Sequence, residues 1–234
     1  LAQVKDIVMV FGFVNQTEDG QRFNSAAVMK DGQVLGIYNK QTLPNYAVFD
    51  EKRYFNEGHQ HLVFEYLGHK FGVLICEDVW SLNVVQQLAQ LNVDTVVVLN
   101  SSPYEVGKPQ HRIETMAALV KQLNINLVYC NQVGGHDDLV FDGTSFVLNK
   151  SGEVALQAAS FQENLSIAEY DATKQMKVTQ ENQIALHFAR IHITESKISQ
   201  LQQQIYGSAN VSIQQQYQRL APKLKIDTTQ IQCE

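Results

Sequence analysis

From Ile7 to about Asp171, short β-branched runs alternate with stretches of helical period, which restricts the chain to a layered α/β fold. Ile7–Val14 is an unbroken apolar run and reads as a buried strand. Thr17–Gly20 is a turn, and Asn24–Met29 and Val34–Tyr38 flank Asp31-Gly32 as a hairpin. A loop containing Pro44 and rich in aromatics runs through Phe55. His61–Tyr66 and Phe71–Ile75 read as strands, and Ser81–Leu91 as a helix with Ser81 as its cap. Thr95–Leu99 is a strand, Arg112–Leu123 a helix, and Leu127–Asn131 a strand. Val133–Asp142 reads as a Gly/Asp loop and Thr144–Leu148 as a strand. The turn at Lys150–Glu153 leads into a last pair of strands ending near Tyr170.

Beyond Ala172 the character changes: residues 172–234 hold thirteen glutamines and one glycine, Gly207. Ile184, Phe188, Ile191 and Ile198 form a helical stripe there, expected to serve as a linker or docking arm. The chain thus divides into residues 1–171 and a Gln-rich helical tail, 172–234. A net charge of −6 argues against a nucleic-acid partner, since phosphate binding leaves a basic footprint. No apolar run is long enough to span a bilayer. Three widely spaced cysteines, Cys76, Cys130 and Cys233, do not make a disulfide framework, so a reducing cytoplasm is expected.

Three segments carry candidate chemistry. In Phe71–Trp80 an apolar strand stops at Cys76 and is followed by two acids and a helix. A thiol at such a turn lies near amides that favour a thiolate and can hold an oxyanion. On spacing alone, a small buried hydrophobe is an equal reading. In Asn39–Phe55, Lys40 lies just past an apolar strand; held inside, its ammonium would stabilise a nearby thiolate, but a solvent-facing lysine is the commoner outcome. Leu99–Arg112 joins a strand end to hydroxyls and cations suited to a substrate carboxylate, or is an ordinary connection. His59 and His61 lack a third ligand for zinc, Gly134–Asp138 lacks the lysine of a phosphate loop, and Cys130 is expected in the core.

Taken in order, GVLICEDVW resembles the nucleophile strand of the nitrilase (carbon–nitrogen hydrolase) superfamily. KQTLPNYAVFDEKRYF resembles the lysine loop of the glutaminase domain of glutamine-dependent NAD synthetases, and NSSPYEVGK, NQVGGHDDLVFDG and SFVLNKSGEV extend the resemblance across about residues 24–170. The resemblance implies a four-layer α-β-β-α sandwich, usually paired across a subunit interface. It implies Cys76 as the nucleophile toward the γ-amide of L-glutamine, Lys40 as the group stabilising the tetrahedral intermediate, and Glu51 as the auxiliary glutamate. Tyr46, Ser102 and Lys108 match positions that hold glutamine, with Glu77 and Trp80 lining the same pocket. No metal or cofactor is implied for this reaction; ATP and magnesium belong to a synthetase domain that supplies the ammonia's destination.

Two departures accompany the resemblance. The family's general-base glutamate lies in a PEL-like motif upstream of the lysine loop, whereas the acids before Lys40 here are Asp6, Glu18, Asp19 and Asp31. The N-terminal part and the ATP-binding synthetase domain are therefore expected to be absent from the chain. The alternatives are a stand-alone amidase or nitrilase on another substrate, and a catalytically inactive scaffold whose tail binds a partner.

Overall fold

The computed structural model describes residues 5–170 and Met176. The tail stripe at Ile184, Phe188, Ile191 and Ile198 lies outside the described residues. Three strands, β1 (Val8–Gln16), β2 (Arg22–Lys30) and β3 (Gln33–Asn39), form an antiparallel sheet in that order. β4 (Leu62–Tyr66), β5 (His69–Ile75), β6 (Thr95–Asn100), β7 (Asn126–Asn131), β10 (Phe146–Leu148) and β11 (Val154–Gln157) form a second sheet, ordered β11-β10-β7-β6-β5-β4. β5, β6 and β7 run parallel at its centre, joined by α1 (Leu82–Ala89) and α2 (Lys108–Leu123). The hairpin β8 (Val133–His136) and β9 (Leu139–Asp142) stands apart as a two-stranded ribbon.

Side-chain alternation assigns the two faces of the large sheet. A Cβ on Gly72 would meet Leu88 of α1, so that face of β5 lies under the helices. Leu99 lies under Gly12 of the small sheet, and its register partner Ile75 is three residues from Gly72, so it shares the opposite face. Helices, large sheet and small sheet thus stack in that order, with Val73, Leu74, Val96, Val98 and Tyr38 in one buried cluster. Both catalytic candidates sit where the layers end, Lys40 after β3 and Cys76 after β5.

Most expected elements form, and the differences have local causes. The strand expected at Ile7–Val14 forms as Val8–Gln16, but as the sheet's edge it is only half-buried rather than enclosed. The Asp31-Gly32 hairpin closes with φ values of 52° and 82°, the left-handed pair whose twist matches the flanking strands. Helix α2 begins at Lys108 rather than Arg112, because Gly107 takes a left-handed φ of 81° and Pro109 is tolerated in a first turn whose amides lack intrahelical partners. Val133–Asp142 is a paired hairpin, not a loop; its glycines hide the pairing from a propensity reading. Of the last pair of strands, only β11 forms. The chain then runs irregularly to Tyr170, which bridges Met176 and stacks on His69.

Gly72 is required by packing, since a Cβ there would lie 2.7 Å from a buried Leu88 methyl. Gly72→Ala should destabilise the chain by overpacking, by about 1–3 kcal/mol. Leu88→Ala alone should cost about 2–5 kcal/mol. In the double variant the two costs should be clearly less than additive in urea unfolding, because the cavity accommodates the new methyl.

Candidate active site

Cys76 closes β5 with a φ of 45°, a left-handed value that costs strain in a residue bearing a Cβ, and it opens a short 3-10 helix, Cys76–Trp80. The strand-to-helix turn lifts the side chain out of the sheet and into a cavity of about 760 Å³ between the two sheets' ends. Lys40 and Glu51 line the same cavity. Lys40 is 1% exposed, and its Nζ donates to Glu51 Oε1 at 2.6 Å. Glu51 belongs to a single 3-10 turn, Glu51–Arg53, and its other oxygen accepts from Asn24 Nδ2 at 3.4 Å. The lysine backbone is pinned on both sides: its N–H donates to Asn24 O, and its carbonyl accepts from Gly58 N–H, each at 2.8 Å. Gly58 must be glycine, because a Cβ would fall 2.1 Å from the Asn39 carbonyl oxygen.

The expected thiolate is not the resting state. Burial pushes the Cys76 thiol above its ordinary range; Lys40 pulls it down, Glu51 and Glu77 push it further up, and the Ser101 N–H pulls it back. The lysine's pull is weakened by the carboxylate 2.6 Å from its charge. Cys76 therefore rests as a thiol that must be deprotonated when it reacts.

The two acids after Cys76 diverge. Glu77 accepts from the Tyr46 hydroxyl at 2.8 Å; burial, and then this bond, raise the Tyr46 phenol to about 12. Asp78 points inward, is fully buried, and accepts four hydrogen bonds. Trp80 stacks on His111 at 6.0 Å. Ser102 is buried, its carbonyl accepting from Arg112 and its N–H donating to Asn131 Oδ1. Lys108, at the start of α2, pairs with Glu105 at 2.9 Å. The structure thus brings Cys76, Lys40 and Glu51 to one wall, while Tyr46, Glu77, Trp80, Ser102 and Lys108 do not line the cavity.

Cys130 is a correction: on β7 it shares the face of Leu99, not that of buried Tyr129, so it is exposed and lines the cavity instead of the core. Sequence reasoning also missed the pair that fixes the Ser102 segment. Arg112 Nη1 donates to both carboxylate oxygens of Asp142 at 2.9 Å, and Nη2 donates to the carbonyls of Ser102 and Pro103. Both side chains are buried, so removing either partner would strand a charge. Thirty residues separate them, and no local signal marks that pairing. Among the described residues no His/Cys/Asp/Glu cluster could hold a metal ion, and no helix is long and apolar enough to cross a membrane.

The carbon-nitrogen hydrolase family matches residues 1–178. The chain belongs to that family. Among relatives, a glutamine-dependent NAD(+) synthetase of Acinetobacter baylyi is 73% identical over 171 residues, covering 73% of this chain and 32% of the relative. The Thermotoga maritima protein of the same name is 41% identical over 177 residues, 74% of this chain and 30% of its own length. The solved structure of glutamine-dependent NAD+ synthetase from Acinetobacter baumannii, in complex with ADP, superposes with a TM-score of 0.75 at 76% identity, over 77% of this chain and 34% of that one. An amidase of the nitrilase superfamily from Nesterenkonia superposes with a TM-score of 0.60 at 26% identity, over 68% of this chain and 59% of that one. This carbon-nitrogen hydrolase has the nitrilase-like fold class read from its sequence, and it spans about a third of the NAD synthetases it matches.

The electrostatics around Cys76 fix the direction of its pH dependence. The rate of Cys76 alkylation by iodoacetamide should rise with pH to a midpoint above the ordinary thiol value of 9.0. Lys40→Met removes the largest downward influence and should move the midpoint up; Glu77→Gln removes an upward one and should move it down. Rate profiles of the three proteins, read by mass spectrometry of the Cys76 peptide, check the order.

Proposed function

We propose that this carbon-nitrogen hydrolase removes ammonia from the side-chain amide of L-glutamine through a covalent intermediate on Cys76. The observation that carries this is the single cavity holding a strained cysteine beside a buried lysine–glutamate pair. Cys76 Sγ attacks the amide carbonyl, and its proton leaves with the departing nitrogen by way of a general base, the role that the resemblance gives to a glutamate upstream of the lysine loop. The carbonyl electrons collect on oxygen, where the Lys40 ammonium, held in place by Glu51, opposes the developing charge. The intermediate collapses by breaking the C–N bond, releasing ammonia and leaving a γ-glutamyl thioester. Water then attacks that carbonyl, the C–S bond breaks, and glutamate departs with the thiol restored. Glu51 and Glu77 are the carboxylates that act on Cys76 in this structure, one engaged by Lys40 and the other by Tyr46.

The likeness to glutamine-dependent NAD synthetases supports glutamine as the substrate. It also supports a synthetase partner that uses the ammonia to amidate deamido-NAD with ATP and magnesium. The setting we propose is a cytoplasmic assembly of paired subunits. On the resemblance, and although they lie outside the Cys76 cavity, we assign Tyr46 and Ser102 to glutamine, with Lys108 reaching its carboxylate when the Glu105 pair opens.

The test is release of ammonia and glutamate from L-glutamine. Cys76→Ala should abolish it, and Lys40→Met should lower kcat by roughly 10²–10³, the usual cost of losing one oxyanion-stabilising donor. Ser102→Ala should raise KM with a smaller effect on kcat. Undiminished release from Cys76→Ala would overturn the assignment.

A further inference from the structure

Asp78 is the one buried carboxylate of the nucleophile turn, and it lines neither the cavity nor the surface. Its Oδ1 accepts from the backbone N–H of Gln41 at 3.1 Å and of Thr42 at 2.7 Å. Its Oδ2 accepts from the Tyr38 hydroxyl at 2.8 Å and the Ile75 N–H at 3.2 Å. Tyr38 precedes Lys40 by two residues, Gln41 and Thr42 follow it directly, and Ile75 is the residue before Cys76. One carboxylate therefore grips the chain on both sides of Lys40 and immediately ahead of Cys76.

The need for such a grip follows from the fold. Lys40 ends a strand of the small sheet and Cys76 ends a strand of the large one, so no ladder of backbone hydrogen bonds sets their separation. The two sheets meet through apolar side chains, Tyr38 and Val73 among them, and apolar contact is non-directional. Sliding one layer on the other by a fraction of an ångström costs little in burial, yet a misplacement of about 1 Å at a reacting centre can cost about 10²-fold in rate. Four directional bonds to one group remove that freedom.

We propose that Asp78 is a positioning residue that fixes the Lys40 ammonium against the Cys76 sulfur across the gap between the two sheets. This deepens the reading of Cys76 as nucleophile and rests on it. The partners also dictate the residue type. Three are N–H groups that only donate, so the group between them must accept on both of its ends, as an ionised carboxylate does. An asparagine of the same shape would turn its NH2 toward an N–H or toward the Tyr38 hydroxyl, breaking at least one link. Glutamate would push the carboxylate one carbon further into a fully packed site. Burial raises the Asp78 carboxyl, and the Thr42, Tyr38 and Ile75 hydrogen bonds and the Lys40 charge pull it back, so its charge is held at a cost in stability. A group kept only for stability would be improved by neutralisation; one kept for position would not.

The test uses the full chain with Cys130→Ser and Cys233→Ser, so that labelling reports on Cys76 alone. A chloroketone analogue of glutamine is the probe, giving a saturable labelling rate kinact and an apparent affinity KI. Asp78→Asn should lower kinact at least tenfold with KI changed less than threefold, since the cavity wall is intact. Tyr38→Phe, which deletes one of the four links and keeps the carboxylate, should lower kinact by a few fold. Leu88→Ala, remote from the link, serves as the stability control and should lower the Tm while leaving kinact at the parental value. A folded Asp78→Asn with parental kinact overturns the proposal, as does a loss no larger than that of Leu88→Ala. If Asp78→Asn does not fold, Tyr38→Phe decides: a reduced kinact at parental Tm supports the link, and an unchanged one overturns it. Absence of saturable labelling in the parent would instead remove the nucleophile reading itself, and the proposal with it.

Discussion

A lysine ammonium buried to 1% exposure is the constraint around which the site is built. A charge in that position is tolerated only when paired and hydrogen-bonded, and Glu51 at 2.6 Å provides the pairing. That requirement explains the loop between Pro44 and Phe55, which carries little regular structure yet must deliver a carboxylate to one point. Glu51 N–H bonds to the Pro44 carbonyl and Phe55 N–H to the Glu51 carbonyl, so the loop closes on itself around the glutamate. Asn24 joins the arrangement twice, through its carbonyl to the Lys40 backbone and through its amide to Glu51.

The pair also sets the limits on Cys76. An ammonium already matched by a carboxylate lowers a neighbouring thiol less than a lone cation would, and burial raises it further. A protonated cysteine fits the proposed mechanism, in which the lysine opposes charge on the oxyanion rather than on sulfur. The backbone strain at Cys76 belongs to the same design, since a left-handed turn is what brings a strand residue out of the sheet and toward the cavity. Farther out, Arg112, paired with Asp142, donates to the Ser102 and Pro103 carbonyls, so the segment that follows the cavity-lining Asn100 and Ser101 is held by a buried ion pair.

Much of this was legible in the sequence. The strand that stops at Cys76 is visible because Phe71–Ile75 is apolar and the next two residues are acids, and the Asp31-Gly32 turn is visible because both residues accept positive φ. What was not legible depends on distance in space or on face. CEDVW shows two acids but not that one bonds an exposed tyrosine and the other points into the core. Cys130 sits in an apolar strand, and only its register with Leu99 shows that it faces the cavity. The hairpin of β8 and β9 carries glycines that suppress strand propensity, so pairing alone reveals it. The thiol's upward displacement follows from burial, which no local pattern reports.

Transfer of the acyl group to Cys76 beside Lys40 can be followed by peptide mapping of the chain after acid quenching of its reaction with L-glutamine. A single γ-glutamyl group should appear on the Cys76 peptide, be released by hydroxylamine, and form far more slowly in Lys40→Met. A γ-glutamyl group carried by Cys130, which lines the same cavity, or ammonia released while every cysteine stays unmodified, would contradict it.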